Sequence, residues 1–460
     1  MTARDFLGPR PTQVLTLGEL RAIAVDAYVY GYPAVLMDVS RRMSADDAEA
    51  PGPARLNHFA HQRRLPDHAC RDFAYATTDT LYSVACLDLR AEPIVLSVPE
   101  MPGRYHLMQL VDAWTNVFAV PGSMSDGDAG DYAIIPPGWS GSLPLGMEPV
   151  QSPTRTVWAI GRIHTLGALD YPGVHALQDR CRLTALSDWQ GSTPVALEGG
   201  LPSRISPASL LHGCAARVAR LDARTFFNRM AALMAANPPP PEDFDIVDRL
   251  GRIGLRPGCM FVPEALGARA PRVLSEAIRA AQQLISACPR LRGWRVNGWD
   301  VHLRIGNCRT DYLLRASIAR TRLGLGVPED SVDVHTEVDA EGEPLDGRRT
   351  YRLRFAPGKL PPAAVLWSLT AYDADQFLVS NPIRRYALSG RDPLELDPDG
   401  ALTITLQHAE PGPEGFSNWL PVPDGPFSLI LRLYAPNVPL FDGVWTPPLV
   451  HQQHAAAQLH

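Results

Sequence analysis

The sequence lacks several features that would identify a common class of protein. Within its 460 residues no apolar run reaches the ~20 residues that cross a membrane, and no secretory signal is evident at the N-terminus. The net charge is −6 and no basic stripe is present, which argues against nucleic-acid binding. We therefore expect a cytoplasmic protein with no membrane or nucleic-acid partner.

Cysteine is scarce and scattered. The seven cysteines are odd in number and never stand in CxxC spacing, which indicates free thiols in a reducing compartment. The sequence also lacks GxGxxG after a strand, GxxxxGK[ST], the GxSxG elbow and Ser-x-x-Lys. We expect no nucleotide or redox cofactor.

Proline, by contrast, is abundant. The 44 prolines are roughly twice the average share of about 5%. Proline at this density favours short strands and loops over long helices. With 45% hydrophobic and 20% charged residues the composition is that of a soluble globular protein, and the length predicts two or three domains.

The chain divides into regions of different periodicity. Apolar spacing predicts a helix over residues 17–38, with a Gly-Tyr-Pro break at 31–33. Six short strands, then a brief helix, precede a run of four helical candidates, the last with Thr310-Asp311 as N-cap. Strands return near Val327. The predicted regions are an N-terminal helical segment (1–50), a β-sandwich (51–190), an α-helical middle (191–326), a jelly-roll-like sandwich (327–450) and a frayed tail (451–460).

The stretch 367–394, WSLTAYDADQFLVSNPIRRYALSGRDPL, concentrates aromatic, acidic and basic side chains in a predicted hairpin. Its first strand, VLWSLTAYD, alternates Trp367, Leu369 and Ala371 with Ser368, Thr370 and Tyr372, so each set occupies one face. A second strand, QFLVS, is expected after the turn at 373–375. This hairpin is either part of a pocket or an amphipathic element with a solvated Arg/Asp face.

Long segments of both halves resemble one known family. They are TTDTLYSVACLDL, PIVLSVPEMPGRYHLMQLVDAWTNVFA, SPTRTVWAIGRI, NGWD, TDYLLRA, the 367–394 stretch, SNWLPVPDGPFSLILRLY and DGVWTPP. They resemble bacterial proteins that pair an N-terminal domain of unknown function, numbered 1254, with a C-terminal one, numbered 1214. The resemblance implies an immunoglobulin-like β-sandwich, a helical middle and a jelly-roll domain, and no assigned activity.

The chain departs from this family at one position. Where relatives typically have Asn shortly before Asp-Thr-Leu-Tyr, Thr77 and Thr78 stand here. If that amide binds a ligand in the relatives, the ligand or its pose differs in this protein.

Candidates for acid–base chemistry occur in the first sandwich. Asp79 and Tyr82 flank the start of one strand, and Asp112, Trp114 and Asn116 lie at the end of another. On a strand the last three share one face, which is the geometry of a pocket wall. A carboxylate desolvated beside aromatics has a raised pKa, which suits proton transfer.

Arginines could anchor an anion near these groups. Arg104 and Arg162 are expected at strand edges, where a guanidinium binds a carboxylate in a bidentate manner. The alternative is that these polar residues of the first sandwich form turn caps and edge salt bridges.

A second candidate cluster is expected in the C-terminal domain. Its proton-transfer candidates are Tyr372, Asp373 and His408, although a strand-end histidine is more often solvated. An adjacent arginine would lower the pKa of a tyrosine. The binding candidates of this domain are Trp367, Arg384, Arg385, Tyr386, Asn418 and Trp419.

A metal site has weaker support. His58 and His61 would share a helical face, with His68 beyond, but no HExxH or second spaced pair accompanies them. We expect no metal, and we expect His61 to be hydrogen-bonded in an interdomain segment.

Together these patterns predict a mainly β, multidomain protein with a helical middle. We expect a cofactor-independent enzyme that uses acid/base chemistry, in a hydrolysis, elimination or isomerisation, on a small organic, anionic substrate between the two β domains. The alternatives are a non-catalytic small-molecule or carbohydrate-binding protein and a structural or assembly role. A homodimer is the expected assembly. Fold alone does not choose among these functions.

Overall fold

Two β-sandwiches and a helical unit make up the protein. The computed structural model describes residues 15–46, 56–71, 74–121, 129–189, 213–288, 293–303, 305–322, 324 and 326–453. Within these ranges 19 strands form four sheets, accompanied by eight α-helices. The predicted fold class, mainly β with a helical N-terminal and middle region, is confirmed.

The N-terminal sandwich contains nine strands and one helix. They are β1 (Ala60–His61), β2 (Thr80–Asp88), β3 (Ile94–Val98), β4 (His106–Asp112), β5 (Val117–Ala119), β6 (Gly130–Ile135), β7 (Glu148–Gln151), β8 (Thr156–His164), β9 (Arg182–Ala185) and α2 (Tyr171–Arg180). The sheet orders are β1-β2-β8-β4-β5 and β7-β6-β3-β9. The six strands and the brief helix expected here are confirmed.

The five-stranded sheet of this sandwich is buried on both faces. Leu81 and Ile163 point into the sandwich core, whereas Val84, Leu107 and Trp158 face outward and are also buried. A strand covered on both faces is apolar at nearly every position, which explains the continuous apolar run in TVWAIGRI.

The helical unit surrounds the first helix. Its members are α1 (Leu17–Asp46), α3 (Cys214–Ala219), α4 (Ala223–Ala236), α5 (Phe244–Gly251), α6 (Ala270–Ser286) and α7 (Tyr312–Arg322). Helix α1 packs against all five others, and its residues from Ala27 to Ser40 are buried. The four helices predicted for the middle are confirmed as α4 to α7.

The predicted break at 31–33 is wrong. Helix α1 continues through Pro33 and ends only at Asp46. Proline costs a helix one hydrogen bond, but burial of Tyr30, Tyr32 and Val35 in the helical core outweighs that cost. The glycine has a packing role instead, because a Cβ on Gly31 would lie 2.3 Å from the sulfur of Met230. Of the connector predicted at 44–53, residues 47–53 lie outside the described ranges.

The C-terminal sandwich contains ten strands and a short helix. They are β10 (Trp294–Val296), β11 (Trp299–Val301), β12 (Ser331–Thr336), β13 (Thr350–Phe355), β14 (Ala363–Asp373), β15 (Ala387–Ser389), β16 (Leu402–Gln407), β17 (Trp419–Pro421), β18 (Phe427–Pro436), β19 (Val450–Gln453) and α8 (Val438–Phe441). The sheet orders are β10-β11-β12-β18-β14-β15 and β17-β16-β13-β19.

Three local predictions in this half are corrected. QFLVS (376–380) is not a strand: Leu378 forms only an isolated bridge to Tyr372, and β14 pairs instead with β15. The range expected to be helical contains the β10–β11 hairpin, whose turn is made by Asn297 and Gly298 at positive φ. The tail is ordered through Gln453, because β19 pairs with β13; residues 454–460 lie outside the described ranges.

The two sandwiches pack sheet against sheet. The outward face of the five-stranded sheet, with Leu107, Val111 and Trp158, contacts Leu366 of β14 and Tyr434 of β18. We refer to this contact as the seam. None of the helices in the described ranges has the length and apolar character needed to cross a bilayer.

Candidate functional site

The alternation predicted for β14 is confirmed and it determines what the seam contains. Trp367, Leu369 and Ala371 are buried in the C-terminal core. Ser368 and Tyr372 point the other way, to the N-terminal domain, where both form hydrogen bonds. Polar side chains of β14 therefore lie inside a domain interface.

Asp79 is the centre of a buried hydrogen-bond network in the seam. Its Oδ2 accepts hydrogen bonds from Ser368 (2.7 Å), Tyr434 (2.7 Å) and Thr77 (3.0 Å). Because β2 begins directly after Asp79, this network ties the start of one sandwich to strands β14 and β18 of the other. Three hydroxyl donors occupy this oxygen, so the contacts of Asp79 are those of a structural hydrogen-bond acceptor.

Arg432 and Tyr372 form a second seam contact. Arg432 donates to the hydroxyl of Tyr372 at 2.7 Å and to the carbonyl of Tyr75 at 2.7 Å, and its Nε lies 3.4 Å from Asp333. Tyr372 donates in turn to the carbonyl of Ala76 at 2.7 Å. Burial raises the pKa of Tyr372 to about 12 even though Arg432 acts to lower it. An adjacent arginine therefore acts to lower the pKa of this tyrosine, as expected, but desolvation is the larger effect and the net shift is upward.

The turn after strand β4 brings Asp112, Trp114 and Asn116 together. The strand ends at Asp112, and residues 113–116 form a turn in which Thr115 has a positive φ of 69°. Asp112 Oδ1 accepts the N–H groups of Trp114 and Asn116, both at 2.8 Å. The three residues therefore meet around a turn, and the prediction that they share a strand face is wrong.

Asp112 is the most perturbed carboxyl of this region. Burial raises its pKa to about 6, while the donors on Asn116 and the charge of Arg315 act to lower it. This confirms the raised pKa expected of a carboxylate desolvated beside aromatics. Its Oδ2 is the freer oxygen, because its contact with the amide of Asn116 is long, at 3.4 Å.

Arg315 of α7 lies beside this turn and is 2% exposed. Its guanidinium carbon lies 5.1–5.9 Å from the ring centroids of Tyr30, Tyr312 and Trp114. Its Nη1 is 4.0 Å from Asp243, whose carboxylate also accepts the hydroxyls of Tyr30 and Tyr312. Within the described part of the chain, Nε and Nη2 of Arg315 have no hydrogen-bond partner.

A small pocket opens next to Arg315. It is lined by Gln109, Val111, Thr115, Val117, Gly306, Cys308, Arg315, Ile318 and Gly324. We call it the Arg315 pocket. Its volume of about 10 Å³ is about that of one water molecule, so a larger ligand group requires side chains of the lining to move. Burial raises the pKa of Cys308 to about 11, so this lining thiol is not a ready nucleophile.

Arg162 contacts one residue of the pocket lining, Gly324. It is on β8, the middle strand of its sheet and not an edge strand as expected. Its guanidinium carbon is 5.1 Å from the ring centroid of Tyr82, and its Nη2 donates to the carbonyl of Gly324, a pocket-lining residue. Arg104 is separate from the pocket, because Asp170 binds it at 2.6 and 2.8 Å.

The remaining predicted residues are not brought together. Asp373 caps its own loop and pairs with Arg71, and Tyr386 contacts His68. The others make structural contacts: Trp367 is buried in the C-terminal core, and Arg384 lies in a turn at φ 51°. Arg385 donates to the carbonyls of Phe416 and Trp419, and the indole of Trp419 donates to the carbonyl of Gln407. Asn418 accepts the N–H of Glu395 and donates to the carbonyl of Thr403, and His408 contacts the carbonyl of Val422.

The three histidines considered for a metal have separate partners. His58 contacts the carbonyl of Leu56, His61 the hydroxyl of Ser83 at 2.8 Å, and His68 the hydroxyl of Tyr386. The hydrogen bond expected for His61 is confirmed. In the ranges that the structure describes, no three His, Cys, Asp or Glu side chains form a metal-ligand group.

Arg315 was missed by sequence reasoning, although a signal exists. It stands three residues after Tyr312 and four before Ala319, on the face of α7 that packs into the helical core. An arginine at such a position is buried, and buried arginines require partners. Arg432 is detectable in the same way, as a charged residue inside the apolar run FSLILRLY.

The architecture, two sandwiches joined by a helical unit, matches known proteins. A model described as a protein of unknown function (DUF1254) matches residues 56–185, and a second of the same description (DUF1214) matches residues 330–438, together about half of the chain. The chain belongs to the family that pairs these two domains, as its resemblance predicted.

Two solved structures are similar to this chain. The VPA0106 protein from Vibrio parahaemolyticus matches with a TM-score of 0.68 and 22% identity, covering 95% of this chain and 100% of the other. An uncharacterised protein from Burkholderia cenocepacia matches with a TM-score of 0.42 and 11% identity, over 95% of this chain and 94% of the other. No curated protein matches. The first similarity supports the fold alone.

Proposed function

We propose that the protein is a cofactor-independent enzyme that uses acid/base chemistry on a small organic anion, in a hydrolysis, elimination or isomerisation. The Arg315 pocket would be its site. The observation that carries this proposal is the state of Arg315: it is 2% exposed, yet two of its donor atoms have no partner within the described residues. Buried donors without partners are costly, and a bound carboxylate would satisfy both.

In this proposal Arg315 binds the substrate. A guanidinium offers two parallel donors that match a carboxylate, and its Nε and Nη2 form one such edge. Its three aromatic neighbours hold the planar group in place by contacts over their rings.

Asp112 is the proposed general base. A carboxyl with a pKa of about 6 is ionised at neutral pH and more basic than an ordinary aspartate. Its neighbours Val111 and Thr115 line the pocket, and its Oδ2 is the oxygen with room for a proton. Oδ1 stays on the two N–H groups of the turn, which orients the carboxylate.

The test is a screen of small carboxylic acids by thermal shift, followed by NMR of each hit for conversion and for exchange of carbon-bound protons with D₂O. Wild type should convert a hit, with a rate that rises with pH through about 6 because the base must be deprotonated. Asp112→Asn should bind the hit and lose turnover, and Arg315→Gln should lose binding.

Arg63→Gln is the matched control, since Arg63 pairs with Asp179 outside the pocket. It should retain both binding and turnover. Turnover in Asp112→Asn equal to that of wild type would reject Asp112 as the base.

A non-catalytic binding protein is the second candidate. Asp112 also caps the turn at 113–116, and that role requires no proton transfer. In this case the ligand would be recovered unchanged from wild type, and Asp112→Asn would change stability without any loss of turnover.

A further inference from the structure

We infer that Thr115 is a ligand-binding residue of the Arg315 pocket, where its hydroxyl donates a hydrogen bond to the carboxylate that Arg315 binds. The position and charge of that group follow from the proposed function, on which this inference rests. The role of Thr115 itself follows from its backbone conformation and from its place in the pocket lining.

The backbone of Thr115 is strained. Its φ is 69°, in the left-handed region, where a β-branched side chain crowds the backbone. In the described ranges eight residues other than glycine have a positive φ, and Thr115 is the only β-branched one among them. The turn alone does not require threonine at this position, because glycine, asparagine and aspartate adopt the conformation more easily.

Two other residues of the lining have left-handed backbone. They are Gly306 and Gly324, with φ values of 86° and 89°. Left-handed backbone thus occurs three times in the lining of the pocket, and only position 115 carries a side chain there. Strained residues concentrate at active sites and ligand clamps, where the surrounding structure maintains them. The threonine side chain is therefore better explained by a ligand than by the turn.

The hydroxyl of Thr115 is available to such a ligand. Thr115 is half-buried, and its side chain forms no hydrogen bond with the described residues. Other groups hold the turn: Asp112 Oδ1 accepts the N–H groups of Trp114 and Asn116, and the Asp112 carbonyl accepts that of Thr115 at 3.0 Å. The hydroxyl is not used to build the turn.

The small size of the pocket brings this hydroxyl close to whatever Arg315 binds. Both side chains line a space of about 10 Å³. A carboxylate needs more room, and Thr115 lies in a turn, whereas most of the other lining residues are held in strands β4 and β5 or in helix α7. An outward shift of the turn would enlarge the pocket and keep the hydroxyl beside the bound group.

The test is calorimetric binding of linear monocarboxylates, from formate to hexanoate, to wild type and to variants of Thr115, with urea unfolding of each protein. Thr115→Val keeps the shape and removes the hydroxyl, so it should bind the tightest of these acids at least about tenfold more weakly than wild type does. Thr115→Ser keeps the hydroxyl and should bind that acid within about threefold of the wild-type affinity.

Thr115→Gly separates a role in binding from a role in the turn. Glycine adopts a φ of 69° without strain, so the midpoint of urea unfolding should rise while the affinity falls as in Thr115→Val. Gln376→Gly is the matched control, since Gln376 has a φ of 71° in the 373–377 loop and is not part of the pocket lining. It should bind as wild type does.

Wild-type affinity in both Thr115→Val and Thr115→Gly would overturn the role of Thr115 and leave the Arg315 site standing. An equal loss of binding in Thr115→Ser and Thr115→Val would also overturn it, because the hydroxyl would then not be the binding group. Failure of wild type to bind any of these acids would reject the proposed function, and with it this inference.

Discussion

At the scale of single residues, the protein contains polar groups whose burial is compensated to different degrees. Asp79 and Arg432 have partners for the charge they carry in the seam. Arg162 and Arg315 retain donors without partners in the described residues. Because an unpaired buried donor costs more than a mean hydrogen bond contributes, the second pair is where a ligand would contribute most.

The effect of burial on the pKa of Asp112 can be tested through the pH dependence of the free energy of unfolding. Its pKa rises from the ordinary 3.8 to about 6 on folding, so the folded state binds the proton more tightly than the unfolded state. The ionised carboxylate therefore destabilises the protein above pH 6, and this cost disappears as the pH falls from 6 to below 3.8. Asp112→Asn removes the ionisation and can keep an oxygen on the two N–H groups.

We expect Asp112→Asn to be more stable than wild type near pH 8, by up to about 3 kcal/mol, since one pKa unit is about 1.4 kcal/mol. The difference should shrink as the pH is lowered. Urea unfolding at several pH values measures it. A constant difference across this range would show that Asp112 does not titrate on folding.

At the scale of elements, helix α7 positions Arg315. Asp311 caps the helix, as predicted: its Oδ1 accepts the N–H of Leu314 at 3.3 Å. Its carbonyl accepts the N–H of Arg315 at 2.9 Å, in the first turn. A change at the cap therefore reaches the pocket through one helical turn.

We expect Asp311→Ala to lower the free energy of unfolding by about 1 kcal/mol and also to weaken carboxylate binding, whereas Asp311→Asn should restore both. Asp222→Ala is the matched control. Asp222 caps α4 through the N–H of Thr225 at 2.7 Å, away from the pocket, and its loss should affect stability alone. Equal binding by all three variants would show that the cap does not position Arg315.

Sequence patterns were sufficient to predict some elements of the C-terminal sandwich and not others. In VLWSLTAYD apolar and polar residues alternate from Trp367 to Ala371, so the two faces of β14 could be assigned correctly from the sequence. QFLVS has a strand-like composition, but the 373–377 loop is held by Asp373, which accepts the N–H groups of Asp375 and Phe377. The short ALS segment takes its place beside β14 because register and not composition determines pairing.

At the scale of the whole molecule, the seam makes one unit of two sandwiches. Tyr434 donates to Asp79 across it, and this hydrogen bond to a charged acceptor joins strands 355 residues apart in sequence. Removing such a donor costs about 2 kcal/mol.

We expect Tyr434→Phe to destabilise the protein by about that amount and to lower hydrogen-exchange protection on both sides of the seam, in β2 and in β18. Tyr351→Phe is the control within the C-terminal sandwich, where the hydroxyl accepts the N–H of Asp346. It should leave β2 unchanged. Loss of protection confined to β18 in Tyr434→Phe would show that the domains open independently.

The sequence by itself determined the elements and the inward faces of this protein. Alternation, turn residues and caps are local, so the first sandwich, helices α4 to α7 and the faces of β14 could be predicted. Asp112, Trp114 and Asn116 were found because they are close in sequence, although their turn was not foreseen.

Only the tertiary structure decided which polar groups meet. Arg315 lies about 200 residues from Asp112, and Arg162 about 150 residues from Arg315. Local pattern contains no information about such distances. Burial raises the pKa of Tyr372 although Arg432 acts to lower it. Packing of α1 in the helical core allows the helix to continue through Pro33. Both outcomes depend on what surrounds a residue in space, because desolvation and packing are properties of the assembled core.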